Sequence, residues 1–272
     1  MKEGNKTMDN IIFEKSEIDN NMNIVNSYIE TLTCVVDDFW EQHVINGIFY
    51  VIKYNNNIIG FYTLFNEWDE KKYITSYYLE DKYIWLAQDI MKSIINKFNV
   101  EKAYVATGDE LFLSICLDFQ KEICLQAYFF DGTTAHEVRK AEYGMECMKK
   151  VEIDEMNEIR NLTGDFYDDI SDKGLINGEY ELYRLVDNGE TLGVGIMVPN
   201  KLKKGYIACG EIVLEKYRRR GGARSLQLNM AEMCRNNGYI PIGGCWYGNI
   251  NSKRTFESCG RCSKTRLLNI TF

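Results

Sequence analysis

Proline and histidine are almost missing from this chain, with two of each among 272 residues. So few prolines leave no polyproline spacer, and no Gly- or Ser-rich run supplies a flexible linker. Two histidines, His43 and His136, give little material for imidazole chemistry. His136 falls in a polar connection, where a solvent-exposed side chain is expected. No apolar stretch reaches the 18 residues that a membrane-spanning helix requires. Met1 to Asn10 is polar and lacks the apolar segment of an export signal, so a cytoplasmic location is expected. Cys259-Gly260-Arg261-Cys262 has no second Cys-x-x-Cys to complete a zinc site, so no metal is expected.

What is present is a core-forming composition. Apolar residues make up 45%, enough for one large or two small domains. Nine scattered cysteines in a chain without an export signal read as reduced thiols, many of them buried. The net charge of −8 disfavours a nucleic-acid partner, which needs a basic face.

In the first half, Ile24 to Phe39 places Ile24, Tyr28, Leu32 and Val35 on one helical face. Ile48 to Tyr54, the turn Asn55-Asn56-Asn57 and Ile58 to Phe65 form a hairpin pattern. A strand from Tyr73 to Leu79, a helix from Asp81 to Phe98, a strand from Val100 to Thr107, a helix from Gly108 to Phe119 and a strand from Glu122 to Phe130 follow. The second half repeats that order. Glu181 to Val186 and Thr191 to Val198 make the hairpin, Tyr206 to Leu214 the third strand, and Gly221 to Asn236 the main helix. Tyr239 to Trp246, a helix from Asn249 to Ser258 and a last strand from Arg266 to Phe272 complete it. Both hairpins carry a glycine early in the return strand, Gly60 and Gly193. We therefore expect two copies of one α/β unit, residues 1–140 and 141–272.

The two main helices differ at their starts. The second follows Arg218-Arg219-Arg220-Gly221-Gly222-Ala223, where small residues let backbone N–H groups approach a phosphate and the helix dipole favours its charge. The first follows Glu80-Asp81-Lys82-Tyr83-Ile84-Trp85, whose acids argue against an anion there. The string fits (Gln/Arg)-x-x-Gly-x-(Gly/Ala), and residues from about 148 onward resemble the GNAT superfamily of N-acetyltransferases. Val213 to Ala223 is similar to that family's strand-into-loop run. Asn249-x-x-Ser252-x-x-x-Phe256-x-x-x-Gly260 is similar to its downstream motif. The first half resembles the fold only, as a degenerate copy. The fold implied is two tandem GNAT-like units, each a mixed, mostly antiparallel sheet flanked by helices.

The resemblance implies acetyl-CoA as co-substrate. Backbone N–H groups around Arg219, Arg220, Gly221, Gly222, Ala223 and Arg224 would hold its pyrophosphate. The strand edge at Ile212, Val213 and Leu214 would pair with its pantetheine arm. Asn249, Ser252 and Phe256 would contact it further on. The family often has a tyrosine at the place of Phe256 to protonate the departing thiolate, and phenylalanine has no proton to give. Tyr247 is the substitute by proximity in sequence. Glu211, on the same strand face as Val213, is the candidate general base. Cys209 and Cys245, with no evident base nearby, read as buried thiols. The expected activity is acetyl transfer to a primary amine of a small molecule, the acceptor being the partner. Alternatives are a protein or peptide amine, or a non-catalytic acyl-CoA-binding module. The acidic stretch Gly164 to Lys173, with Phe166 and Tyr167, is either an amine-binding loop or a solvated one. Monomer and homodimer are both open.

Overall fold

The computed structural model describes residues 8, 10–66, 71–132, 138–167 and 170–272. His136, part of the expected turn at 131–134, and Asp168 and Asp169 of the acidic stretch lie outside them. The chain divides into two compact units: Met1–Ala127 with Thr265–Phe272, and Tyr128–Lys264. This division falls before the expected one at residue 140, and it returns the last strand to the first unit.

The first unit begins with β1 (Ile11–Lys15), α1 (Met22–Thr31) and α2 (Asp38–Ile45). The single helix expected over Ile24 to Phe39 is broken, because Leu32 turns extended and Asp37 starts a new helix by accepting from the Trp40 N–H at 3.0 Å. Next come β2 (Ile48–Tyr54), β3 (Asn57–Asn66), β4 (Lys72–Leu79), α3 (Ala87–Phe98), β5 (Lys102–Ala106) and α4 (Glu110–Phe119), and then β6 (Glu122–Phe130), within which the first unit ends. Helix α3 buries Ala87, Ile90, Met91 and Ile94 and ends on left-handed Asn99.

The second unit holds β7 (Met148–Lys150), α5 (Met156–Thr163), α6 (Asp172–Ile176), β8 (Glu181–Asp187), β9 (Glu190–Pro199) and β10 (Tyr206–Val213). Helix α7 (Gly222–Asn236), β11 (Ile240–Trp246) and α8 (Ile250–Ser258) follow. The chain closes with β12 (Thr265–Thr271).

In the first unit the strand order is β1-β2-β3-β4-β5-β12, antiparallel except for β4 against β5. In the second it is β7-β8-β9-β10-β11, antiparallel except for β10 against β11. Each parallel pair is joined through its long helix, as parallel strands require.

The repeat extends to single hydrogen bonds. The β2–β3 register shifts beside Ile52, opposite Gly60, and the β8–β9 register shifts beside Leu185, opposite Gly193. A Cβ on Gly60 would lie 2.1 Å from the Tyr78 carbonyl oxygen, and one on Gly193 2.5 Å from that of Ile212. Only glycine admits so close a strand at either bulge. Just past the third strand, Glu80 N–H donates to Ile59 O at 2.9 Å and Leu214 N–H to Leu192 O at 3.0 Å.

Strand β12 pairs with β5 from Leu267↔Ala106 to Thr271↔Lys102, burying Leu267 and Ile270 completely. Ile270→Ala should therefore cost about 2–4 kcal/mol. Hydrogen exchange should quicken at Ala103 to Ala106 and stay unchanged along α7. Equal loss of protection in both units would contradict the assignment of β12 to the first.

Candidate functional site

Strand β10 pairs with β9 along its length, from Ile207 to Val213. It pairs with β11 only at Tyr206, Ile207 and Ala208. Beyond Ala208 the two strands part, and a cavity of about 840 Å³ opens in the second unit. One wall is Gly210, Glu211, Ile212 and Val213 of β10, and the facing wall is Gly244, Cys245 and Trp246 of β11. Asn249, Ser252, Thr255 and Phe256 at α8 form the third side, with Arg218, Arg219 and Gly221 to Arg224 at the mouth.

The mouth is shaped for an anion. Arg219 and Gly221 both take left-handed backbone conformations, φ 66° and 81°. Such residues turn loop N–H groups into a concavity. Helix α7 then starts at Gly222, and its cap residue Gly221 contributes no side-chain hydrogen bond to the first-turn amides. No acidic residue stands in that first turn.

Glu211 lies on the cavity wall beside the buried Gln227 of α7. Gln227 Nε2 donates to a Glu211 carboxylate oxygen and, at 2.9 Å, to Cys209 O. Burial pushes the Glu211 carboxyl up to about 7, while the Gln227 hydrogen bond and the charge of Arg261 pull the other way. Arg261 is 2% exposed, and its two terminal nitrogens have no hydrogen-bond partner. Its guanidinium stands 5.6 Å from the centre of the Phe256 ring. An unpaired buried cation favours nearby negative charge, and Glu211 is the carboxylate that feels it.

Most sequence-expected residues converge here: Glu211, Ile212, Val213, Arg219, Gly221, Gly222, Ala223, Arg224, Asn249, Ser252 and Phe256 all line the cavity. Three do not. Leu214 bonds through its N–H to Leu192, and Arg220 lies over the Tyr217 ring. Tyr247 stacks on Tyr128 at 4.8 Å, outside the cavity, because β11 ends one residue earlier at Trp246. Asn249 also caps α8 through Oδ1, accepting from the Ser252 N–H at 3.1 Å. Phe256 stacks on Phe130 at 4.4 Å, and its ring fills the space that a side chain at Gly243 would need.

Cys209 is buried, as expected, but Cys245 is half-buried and lines the cavity. All nine cysteines are free, and no cluster among the described residues can hold a metal. Nothing in the local sequence marks Gln227 or Arg261 as part of the site: Gln227 follows Leu226 on a helix whose polar residues read as solvated, and Arg261 sits inside a Cys-x-x-Cys that draws attention to its thiols. On α7, Ser225, Gln227 and Asn229 are buried together with Leu226 and Met230.

Residues 17–133 match the family model described as an acetyltransferase (GNAT) domain. The match covers most of the first unit and runs six residues past its Ala127 boundary, whereas the strings that resemble the family's motifs lie in the second. No curated protein sequence matches the chain. An acetyltransferase of the GNAT family from Colwellia psychrerythraea superimposes with a TM-score of 0.82 at 17% identity, over 96% of this chain and 99% of that one. A GCN5-related N-acetyltransferase from Sphaerobacter thermophilus gives 0.60 at 13%, over 96% and 95%. A tandem GNAT protein from the clavulanic acid biosynthesis pathway gives 0.60 at 9%, over 96% and 98%. The chain has the GNAT acetyltransferase fold, built twice.

The raised Glu211 carboxyl has a stability consequence. Its ordinary value is 4.5 and its folded value about 7, so the folded form keeps a proton that the unfolded form loses between them. That contribution to stability is present below pH 4.5 and lost as the pH rises through 7. Glu211→Gln should match the wild type in urea unfolding at pH 4.5 and exceed it at pH 8 by on the order of 2 kcal/mol. Asp37 and Asp109, also raised by burial, are common to both proteins and cancel. A pH-independent difference would contradict the raised Glu211 carboxyl.

Proposed function

We propose that the second unit binds acetyl-CoA and transfers its acetyl group to a primary amine of a small molecule. The observation that carries this is one cavity joining three things: a parted strand edge on β10, a helix N-terminus with uncapped amides, and the half-buried carboxylate of Glu211.

The residues fit the co-substrate. The first-turn amides of α7 and the loop at Arg219 to Arg224 suit a pyrophosphate. The β10 edge past Ala208 is free of β11 and suits an extended arm carrying amides. Acetyl-CoA supplies the acetyl group as a thioester.

The acceptor needs a neutral nitrogen. An alkylammonium with pKa about 10.4 must lose its proton, at a cost of about 4–5 kcal/mol near pH 7. Glu211 takes that proton, directly or through water, and a carboxyl poised near 7 suits a base working at neutral pH. Gln227 fixes one carboxylate oxygen and leaves the other for the amine. Phe166, 47% exposed, and Trp246, 65% exposed, both line the cavity and offer ring faces to a cation. No tyrosine lines the cavity among the described residues, so the thiolate leaves without a tyrosine acid. A thiol pKa near 8.5 makes that departure tolerable.

The same lack of a tyrosine favours a second reading, an acyl-CoA-binding module without turnover. Binding and turnover separate the two. Acetyl-CoA should titrate to saturation in calorimetry, and Ala223→Asp, which puts a carboxylate in the first turn of α7, should weaken it at least about tenfold with folding intact. In an amine-library assay, CoA release should rise with pH through about 7, and Glu211→Gln should lower it by about 100-fold or more while leaving binding in place. Binding without CoA release from any amine would leave the module. No binding at millimolar acetyl-CoA would overturn both.

A further inference from the structure

The anion cradle of the second unit already has a carboxylate beside it. The segment from Lys140 to Gly144 runs along the first two turns of α7, and three helix side chains hold it. Ser225 Oγ, fully buried, accepts from the N–H groups of Glu142 at 3.0 Å and Tyr143 at 3.1 Å. Asn229 Nδ2, on a side chain 4% exposed, donates to the carbonyls of Tyr143 and Gly144, both at 3.1 Å. Arg224 Nε donates to Lys140 O at 3.2 Å. Buried polar groups on a helix face need such partners, so this strap is fixed in register.

Its register puts the Glu142 side chain at the helix start. The Glu142 carboxylate pairs with Arg224 at 2.9 Å. Glu142 Cγ lies where a side chain on Gly221 would begin, 2.3 Å from an ideal Cβ. Gly221 and Arg224 both line the cavity mouth. One negative charge thus stands beside the place where a pyrophosphate would bring two, and it holds Arg224, a cation that lines the cavity.

We infer that Glu142 sets the cofactor affinity of the cradle: it is a built-in competitor that a pyrophosphate must displace from Arg224. The strap's backbone stays in place through Ser225 and Asn229, and only the carboxylate swings away. This inference rests on the acyl-CoA reading of the cavity.

The test is calorimetric titration of acetyl-CoA into the wild type and into Glu142→Gln and Glu142→Ala, with thermal unfolding as the check on folding. Removing the carboxylate should tighten binding by about two- to fivefold, the range of a charge at a helix N-terminus. Equal affinity in all three would overturn the inference and leave the cofactor reading intact. Weaker binding by the variants would also overturn it, because Glu142 would then serve to hold Arg224 in place for the phosphates. No binding by any of the three would overturn the cofactor reading, and this inference with it.

Discussion

Everything at the site follows from parallel pairing that stops after three residues. β10 meets β11 at Tyr206, Ile207 and Ala208 and nowhere further. Past that point β10 keeps its antiparallel bonds to β9 on one edge and has no strand on the other. The opening is a product of sheet twist and of connection. A parallel crossover through α7 brings β11 beside β10 at one end only, and the loop that starts α7 comes to rest at the other end of β10. The parted edge, the helix N-terminus and Glu211 therefore face one space.

The first unit has the same split between β4 and β5. β4 pairs with β5 only at Tyr73 and Ile74. Leu79 faces Gly60 as Val213 faces Gly193, so Tyr77 holds the place of Glu211. Tyr77 is fully buried in that unit's apolar core, and its hydroxyl donates to Ala87 O at 2.9 Å. The helix start differs as sharply. Tyr83 N–H donates to Glu80 O as Tyr217 N–H donates to Leu214 O. After that bond the second unit turns through left-handed Arg219 and Gly221, whereas the first runs on through Ile84, Trp85 and Leu86 straight into α3. Where one unit offers amides and cations, the other offers an exposed tryptophan behind two acids.

The repeat was legible because its marks are local. A glycine opposite each bulge and a strand–helix alternation survive as composition even when identity does not. The turn that starts α7 was legible for the same reason, since its glycines stand directly ahead of a helical run. What escaped the sequence depends on contacts distant in the chain. β12 alternates like any terminal strand, and nothing local says that it pairs with β5. The break between α1 and α2 turns on Asp37, an N-cap that a regular apolar spacing hides. Gln227 and Arg261 are polar residues that burial makes important, and burial is set by the rest of the unit. Tyr247 looked close to Phe256 in sequence, but one residue past the end of β11 carries it onto Tyr128 instead.

If the second unit, and not the first, holds the cofactor in the parting of its strands, a crystal structure of the whole chain with bound CoA should show it there. Density is expected for the pantetheine along β10 beyond Ala208 and for the pyrophosphate against the amides of Gly222 to Arg224. Density along β4 at the start of α3, or CoA lying away from the β10–β11 parting, would contradict it.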